Sequence, residues 1–294
     1  MAMTEICGVL TAMVTPFEES GAVDEAAARR LASFLVENGS HGVVVAGSTG
    51  EAATLDDDEH ISLLRAVVEE IGDEATVICG TGTNDTRHSI ELTKASAEAG
   101  AAAALIVTPY YNKPNPAGVL AHFEAIAGAV PDLPLLAYNI PSRVIVNVSP
   151  AELAALAQID NVVGVKQANN DELELIAGMA VLAGNDDVFL KTLEIGAAGG
   201  ILVASQLVGP QMREMWDTAL AGDIERAREI DVSLRPLFEA LSVTINPIPI
   251  KTAMHMAGLI PSDALRLPMV PADEAQRAVV RTALEGLGLT VTAG

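Results

Sequence analysis

The stretch Val162-Val163-Gly164-Val165-Lys166 gives the clearest indication of how this chain folds. An uninterrupted apolar run of this length is typical of a strand buried on both faces, as in a parallel sheet. Similar runs alternate with amphipathic helical patterns from one end of the chain to the other. That alternation predicts repeated βα units, and therefore an α/β fold built on a parallel sheet.

The number of units follows from the predicted strand ends. These lie near Thr15, Gly47, Gly80, Thr108, Tyr138, Lys166, Gly184 and Ala204, with successive spacings of 32, 33, 28, 30, 28, 18 and 20 residues. Eight units predict a closed (β/α)8 TIM barrel. After about residue 206 the strand signals fade, and helical patterns follow at 211–220, 223–243, 251–259 and 273–287. We therefore expect a barrel domain over 1–225 and a C-terminal helical subdomain over 226–294.

Several boundaries between elements are visible in the sequence. Asp56 with Glu59 forms a capping-box pattern ahead of an apolar series at helical spacing, and Ser149-Pro150-Ala151-Glu152 forms a second one. The stretch Asn246-Pro247-Ile248-Pro249 is predicted to be a rigid connector, because each proline restricts the residue before it to extended geometry.

Composition excludes several classes of function. The formal charge of −22, from 39 acidic and 17 basic residues, would repel nucleic acid across most of the surface. Cys7 and Cys79 are the only cysteines, and the five histidines lack metal-ligand spacing. The stretch Met1-Ala2-Met3-Thr4-Glu5 lacks a basic region, and no apolar run approaches the length of a membrane span. We therefore predict a cytoplasmic enzyme with no metal, no nucleic-acid partner and no membrane segment.

The residues that close the strands are the candidates for chemistry, because a barrel of this kind carries its active site at the C-terminal ends of its strands. Lys166 closes the sixth strand, and an amine beside apolar walls can be partly neutral and can attack a carbonyl. A lysine whose stem lies along the strand end while its ammonium reaches water fits the same position. Lys113 also lies in a strand-end loop, but its polar neighbours predict that it is solvated.

Other side chains at the same predicted rim can serve a carbonyl reaction. Tyr110, Tyr111 and Tyr138 are the only tyrosines, and a tyrosine hydroxyl can relay protons or simply bond to the backbone. The stretch Gly47-Ser48-Thr49-Gly50-Glu51 can bind a carboxylate or phosphate, or cap the next helix. Arg143 can clamp a carboxylate with two N–H groups, or cover a loop.

The glycine-rich stretches do not match a nucleotide-binding fingerprint. Gly47-Ser48-Thr49-Gly50-Glu51 lacks the Gly-Lys-Ser/Thr ending of a Walker loop. Gly80-Thr81-Gly82 lacks the third glycine of a dinucleotide motif, because that position holds Asp85. We predict no nicotinamide cofactor.

Taken together, the strand-end motifs resemble the dihydrodipicolinate synthase and N-acetylneuraminate lyase family of class I pyruvate aldolases. The resemblance spans nearly the whole chain. It is carried by Gly47-Ser48-Thr49-Gly50-Glu51, Thr108-Pro109-Tyr110-Tyr111-Asn112, Tyr138-Asn139-Ile140-Pro141-Ser142-Arg143, Gly164-Val165-Lys166, Asn246-Pro247-Ile248-Pro249-Ile250-Lys251 and Leu265-Arg266-Leu267-Pro268. It implies a (β/α)8 barrel with a C-terminal helical domain, usually a homotetramer arranged as a dimer of dimers, that uses pyruvate without metal or organic cofactor.

The resemblance also implies catalytic roles for four residues. Lys166 would form a Schiff base with the keto carbon of pyruvate, and the resulting iminium would acidify the methyl group. Tyr138 would relay protons with support from Thr49. Tyr111 would reach into the site of a neighbouring subunit and complete the relay.

Substrate-binding roles are implied in the same way. Ser48 and Thr49 would hold the pyruvate carboxylate, with Gly184 and Leu202 as further pyruvate-site residues. Arg143 would bind the carboxylate of the second substrate, an arginine that the synthases of the family carry and the sialic-acid lyases lack. The implied reaction is the condensation of pyruvate with L-aspartate 4-semialdehyde, which leads to diaminopimelate and lysine.

Some positions depart from the synthase pattern and leave alternatives open. Ser48 replaces a threonine, Val144-Ile145 replaces Thr-Gly, and Gln167-Ala168-Asn169-Asn170 replaces an acidic residue followed by Ser/Thr-Gly. We expect the last two changes to alter the pocket for the second substrate, so a 2-keto-3-deoxy sugar acid aldolase is the alternative within the family. A phosphate-binding barrel isomerase and a non-catalytic sensor of small acids are alternatives from other classes.

Overall fold

The computed structural model describes residues 6–291, in which eight parallel strands form a closed barrel. The strands are β1 (Gly8–Ala12), β2 (Gly42–Val45), β3 (Thr76–Gly80), β4 (Ala103–Val107), β5 (Leu135–Asn139), β6 (Val162–Gln167), β7 (Ala180–Ala183) and β8 (Gly199–Leu202). Each strand pairs with the next, and β8 pairs with β1 to close the ring. The predicted TIM barrel is confirmed.

Helices surround the barrel and continue beyond it. They are α1 (Glu25–Glu37), α2 (Asp57–Ile71), α3 (Thr86–Glu98), α4 (Pro116–Ala129), α5 (Pro141–Val144), α6 (Pro150–Leu156), α7 (Phe189–Glu194), α8 (Ser205–Leu220), α9 (Ile224–Ala240), α10 (Ile248–Met256) and α11 (Glu274–Gly286). The short connection from β6 to β7 holds only a 3-10 helix, Asn170–Glu172, which explains the predicted spacing of 18 residues there.

The predicted helix starts at Asp56 and Ser149 are both capping boxes in the structure. The prediction that 246–249 is entirely a connector is wrong, because α10 already begins at Ile248. Pro249 lies in the first turn of that helix, where a missing N–H breaks no intrahelical hydrogen bond. Helix α8 likewise begins at Ser205, earlier than predicted, and its helical geometry breaks at Val208, two residues before Pro210.

Side chains alternate between the inside of the barrel and the layer beneath the helices. The interior cluster includes Leu10, Val44, Ile78, Leu105, Leu136, Leu182 and Ile201, all nearly inaccessible to solvent. Gly164 faces the same space, because a Cβ at that position would lie 2.7 Å from the Leu136 Cδ2 atom. Val165 packs in the outer layer instead. The period of two along β6 therefore turns Lys166 into the barrel interior.

Two further expectations concern the ends and the division of the chain. The N-terminal stretch for which we predict no targeting signal, Met1-Ala2-Met3-Thr4-Glu5, lies outside the described residues. Over 6–291, no helix is long and apolar enough to cross a membrane. Helix α9 packs against both α8 and α11, so contacts cross the boundary proposed at 225/226, and the two-part division remains a proposal.

Candidate active site

Lys166 and Tyr138 lie side by side at the C-terminal end of the barrel. They are paired residues of β6 and β5, and the Lys166 Nζ atom lies 4.4 Å from the centroid of the Tyr138 ring. Each residue is 5% exposed. An amine and a phenol in contact inside an apolar barrel can form and protonate a Schiff base.

Thr108 fixes the position of Tyr138. Its backbone N–H and its Oγ1 hydroxyl both donate to the Tyr138 carbonyl oxygen, at 3.1 and 3.0 Å. The threonine at the end of β4 therefore supports β5 where Tyr138 lies, and its hydroxyl hydrogen is already used in that hydrogen bond. Thr15, predicted at the end of β1, is likewise occupied, because its hydroxyl donates to the Gly50 carbonyl oxygen at 2.6 Å.

The loop after β2 carries Ser48 and Thr49 and has left-handed residues at both ends. Ala46 has φ of 50° and Glu51 has φ of 57°, a conformation that residues other than glycine adopt at a cost. The Glu51 N–H donates to the Ser48 carbonyl oxygen at 3.2 Å, which closes the turn between them. Thr49 is buried and Ser48 is half-buried.

A chain of hydrogen bonds joins Thr49 to Arg143 through Asn246. The Asn246 Nδ2 atom donates to the Thr49 Oγ1 atom at 3.0 Å, and the Arg143 Nη2 atom donates to the Asn246 carbonyl oxygen at 2.8 Å. The two predicted carboxylate-binding groups are therefore held by one residue from the C-terminal part of the chain. We did not predict a site role for Asn246, since its sequence context predicts only a rigid connector.

A cavity of about 450 Å³ opens beside these residues. Its lining includes Ser48, Tyr138, Arg143 and Asn246, together with His60, Asn84, His88, Tyr110 and Asp57. The His88 Nε2 atom lies 2.9 Å from the Asp57 Oδ1 atom, and burial lowers the pKa of His60 to about 4, so His60 is neutral at pH 7.

The remaining predicted residues have different surroundings. Tyr111 is 87% exposed and has φ of 71°, so its side chain packs little against its own chain. Gly184 lies against the end of β6, where its N–H donates to the Gln167 carbonyl oxygen at 2.8 Å. The Leu202 side chain packs in the layer beneath the helices, so only its backbone is available to a ligand in the barrel. Lys113 is exposed, as predicted.

Asp186 is a carboxyl group near Lys166 whose function we did not predict. Its Oδ1 atom accepts the backbone N–H groups of Val203 and Ala204, both at 3.0 Å, and so ties the end of β7 to the end of β8. Burial raises the pKa of Asp186 to about 6, against the opposing effect of those hydrogen bonds and of the Lys166 charge. The sequence placed it at a strand end but gave no sign of these partners.

The unusual residues after Lys166 support β6 from outside the barrel. The Gln167 Oε1 atom accepts from Asn139 Nδ2 at 3.0 Å, and its Nε2 atom donates to the Glu172 carbonyl oxygen at 3.4 Å. Asn169 Nδ2 donates to Asn147 Oδ1 at 3.1 Å in the same network. The side chain of Gln167 therefore supports the strand that carries Lys166. Val144, which also departs from the synthase pattern, lines the cavity instead.

Within the described part of the chain, no group of three or more His, Cys, Asp or Glu side chains is placed to hold a metal ion. The chemistry available from the residues present is that of an amine, a phenol, two alcohols and a guanidinium. This set suits covalent activation of a keto acid, because the amine can form an iminium while the polar groups bind carboxylates.

Comparisons with known proteins agree with this arrangement. Residues 5–287 match the model of the dihydrodipicolinate synthetase family. The 4-hydroxy-tetrahydrodipicolinate synthase of a Cyanothece species is 43% identical, over 98% of this chain and 100% of that protein. The crystal structure of dihydrodipicolinate synthase from Aquifex aeolicus superposes with a TM-score of 0.94 at 37% identity, covering 98% of this chain and 100% of that one.

A third comparison includes a ligand. The chloride-inhibited dihydrodipicolinate synthase from Acinetobacter baumannii, complexed with pyruvate, is 38% identical with a TM-score of 0.93. The match covers 97% of this chain and 99% of that one. The resemblance stated from the motifs is therefore confirmed over nearly the full length.

Proposed function

The chain belongs to the dihydrodipicolinate synthetase family, and from that premise we propose that it condenses pyruvate with L-aspartate 4-semialdehyde to give 4-hydroxy-tetrahydrodipicolinate. The observation that carries the proposal is the buried contact between Lys166 Nζ and the Tyr138 ring at the C-terminal end of the barrel. An amine in that position activates a keto acid without a separate cofactor.

The reaction begins with attack of Lys166 Nζ on the keto carbon of pyruvate. Loss of water from the carbinolamine gives an iminium, which withdraws electrons from the methyl group so that one of its protons can leave. The resulting enamine attacks the aldehyde carbon of the second substrate, which forms the new carbon–carbon bond, converts the aldehyde oxygen into a hydroxyl group and restores the iminium on Lys166. The amino group of the second substrate then attacks the iminium carbon and displaces Lys166 Nζ, which closes the ring of the product and frees the lysine. Tyr138 stands next to Nζ and is the group we assign to proton transfer in these steps.

Ser48 and Thr49 supply the carboxylate site for pyruvate in this proposal. Gly184 and the backbone of Leu202 complete the wall of that site. We assign Tyr111 to the site of a neighbouring subunit, because its ring is 87% exposed and therefore free to contact another chain. The active form would then be a homo-oligomer, a tetramer built from two such dimers, acting in the cytoplasm.

Arg143 determines the second substrate. It lies at the rim of the cavity, where a guanidinium can bind the carboxylate of aspartate semialdehyde. The alternative within the family, cleavage of 2-keto-3-deoxy sugar acids, is supported by Val144 in the cavity wall, which offers no hydrogen bond to the synthase substrate.

Two experiments test the proposal. Sodium borohydride added in the presence of pyruvate should leave a reduced pyruvyl adduct on Lys166, identified by peptide mass spectrometry and missing from Lys166→Ala. If wild-type protein gives no adduct, the Schiff-base mechanism is wrong. Turnover of pyruvate with aspartate semialdehyde, measured beside cleavage of keto-deoxy sugar acids, then decides between the two lyase reactions.

A further inference from the structure

A second buried lysine, Lys251, has no part in the chemistry described so far. Its Nζ atom lies 2.5 Å from Glu51 Oε1, and both side chains are completely buried. The pair joins helix α10 to the last residue of the loop that carries Ser48 and Thr49. An ion pair removed from water costs free energy unless its other donors and acceptors are satisfied.

The surroundings of the pair meet that requirement. Lys251 Nζ also donates to the Ala264 carbonyl oxygen at 2.8 Å and lies 4.1 Å from the centroid of the Phe17 ring. Glu51 Oε2 accepts the backbone N–H of Arg266 at 3.1 Å. Burial lowers the pKa of Lys251, but the charge of Glu51 opposes this effect, and each contact of Nζ suits an ammonium. Lys251 is therefore a fixed cation and not a second nucleophile.

The pair acts on the backbone at a strained position. Glu51 has φ of 57°, and it lies two residues after Thr49. Its own N–H closes the turn onto the Ser48 carbonyl oxygen. A left-handed conformation outside glycine persists only where the surrounding structure imposes it. Here the Lys251 ammonium and the Arg266 N–H both donate to the Glu51 carboxylate, and we infer that they hold Glu51 in this left-handed conformation.

We propose that Glu51 and Lys251 are positioning residues that hold the Ser48-Thr49 turn in the form that receives the carboxylate of pyruvate. The proposal rests on the proposed function, because it assigns pyruvate to that turn. Charge-assisted hydrogen bonds from two donors restrict the position of a carboxylate, and with it the backbone that carries the side chain. The pair therefore serves the geometry of substrate binding as well as the contact between the two parts of the chain.

A neighbouring ion pair provides a matched control. Arg266 Nη2 lies 2.5 Å from Glu59 Oε1, and Nη1 donates to Glu59 Oε2 at 2.6 Å. This pair also joins the C-terminal part of the chain to the segment after β2. Glu59, however, lies in helix α2 and has no contact with the Ser48-Thr49 turn among those the structure describes. It binds the guanidinium of Arg266, whereas Glu51 accepts the backbone N–H of that residue, so Glu59→Gln leaves both donors to Glu51 in place.

The experiment compares Glu51→Gln with Glu59→Gln in the full-length protein. We measure kcat and KM for pyruvate, the rate at which borohydride traps the pyruvate adduct, and the melting temperature. Glu51→Gln should lower kcat/KM for pyruvate roughly 10- to 100-fold, since a small displacement of a binding group costs on that order. Glu59→Gln should change kcat/KM for pyruvate by less than about threefold, even if its melting temperature falls by as much as that of Glu51→Gln.

The positioning role would be overturned if the two variants lost kcat/KM for pyruvate equally. It would also be overturned if Glu51→Gln left kcat/KM for pyruvate unchanged. If Glu51→Gln does not fold, the double variant Glu51→Leu with Lys251→Met decides, because an apolar pair can restore packing without the charges. Recovery of melting temperature without recovery of pyruvate trapping supports the proposal, and recovery of both contradicts it. Failure of the wild-type protein to trap pyruvate would instead disprove the proposed function.

Discussion

Arg143→Ala is the sharpest test of the second substrate. In the structure one N–H of the guanidinium is committed to the Asn246 carbonyl oxygen at 2.8 Å, which leaves four for a carboxylate. A hydrogen bond between charged groups contributes about 1.5–3 kcal/mol. Arg143 is exposed, so solvent weakens each bond, and we assign about 1.5–3 kcal/mol to the whole clamp. At 1.4 kcal/mol per tenfold, the loss in kcat/KM for aspartate semialdehyde is roughly 10- to 140-fold.

The assay varies the aldehyde at saturating pyruvate and follows initial rates of condensation. Arg143→Lys is the matched control, because it keeps the charge but loses the planar pair of donors, and it should fall between wild type and Arg143→Ala. Trapping of pyruvate on Lys166 should stay within twofold of wild type in both variants, since Arg143 reaches Thr49 only through the Asn246 carbonyl oxygen and Asn246 keeps its own bond to Thr49.

The reasoning would be refuted by an Arg143→Ala variant whose kcat/KM for aspartate semialdehyde stays within twofold of wild type. An equal loss in pyruvate trapping would also refute it, because the arginine would then support the site as a whole and not the second carboxylate.

Three further predictions concern assembly and pH. Tyr111→Phe and Lys166→Ala should each be inactive, and subunits mixed after reversible dissociation should regain turnover through hybrid sites; a mixture that stays inactive contradicts a shared site. Burial lowers the pKa of His122 from 6.5 to about 4, so the folded state favours the neutral ring. The stability that this provides is fully present above pH 6.5 and is lost as the pH falls towards 4, because the unfolded chain takes up the proton more readily. The free energy of unfolding, measured with urea, should therefore fall by about 2.5 kcal/mol less in His122→Asn than in wild type between pH 7.5 and 4.5. An equal fall in the two proteins would refute this. Asp186 has the opposite effect, because its raised pKa of about 6 stabilises the fold at low pH. The free energy of unfolding of wild type should therefore fall by about 2.4 kcal/mol relative to that of Asp186→Asn between pH 4 and 7.5, and an unchanged difference would contradict it.

The barrel could be predicted from the sequence because each strand carries its own local signal. Apolar runs, capping boxes and the spacing of strand ends are all properties of neighbouring residues. Even the short sixth connection was visible as a spacing of 18, although its 3-10 helix was not. Both Lys166 and Tyr138 were predicted to close strands, and therefore to share one rim, and the structure pairs them across β5 and β6.

The support of the site could not be predicted in the same way. Asn246 and Lys251 lie in a segment whose local pattern indicates only a turn followed by a helix. Their partners, Thr49 and Glu51, carry no feature that points to a C-terminal segment. Such contacts depend on how the C-terminal segment packs over the barrel. Local sequence patterns do not indicate which distant residues come together. Leu202 shows the reverse limit, because a strand-end position alone does not reveal which face its side chain occupies.

The return of the C-terminal segment over the barrel has a consequence for how activity appears during synthesis. The bonds from Asn246 to Thr49, from Lys251 to Glu51 and from Arg266 to Glu51 span 197, 200 and 215 residues. At roughly 5–20 residues per second, the ribosome makes the Ser48-Thr49 turn about 10–40 s before its anchors exist. The last strand, β8, ends at Leu202, which is 44 residues before Asn246. A nascent chain that already contains all eight strands therefore still lacks the bonds that anchor the Ser48-Thr49 turn, the proposed carboxylate site, and it gains the last of them only once Arg266 has been made.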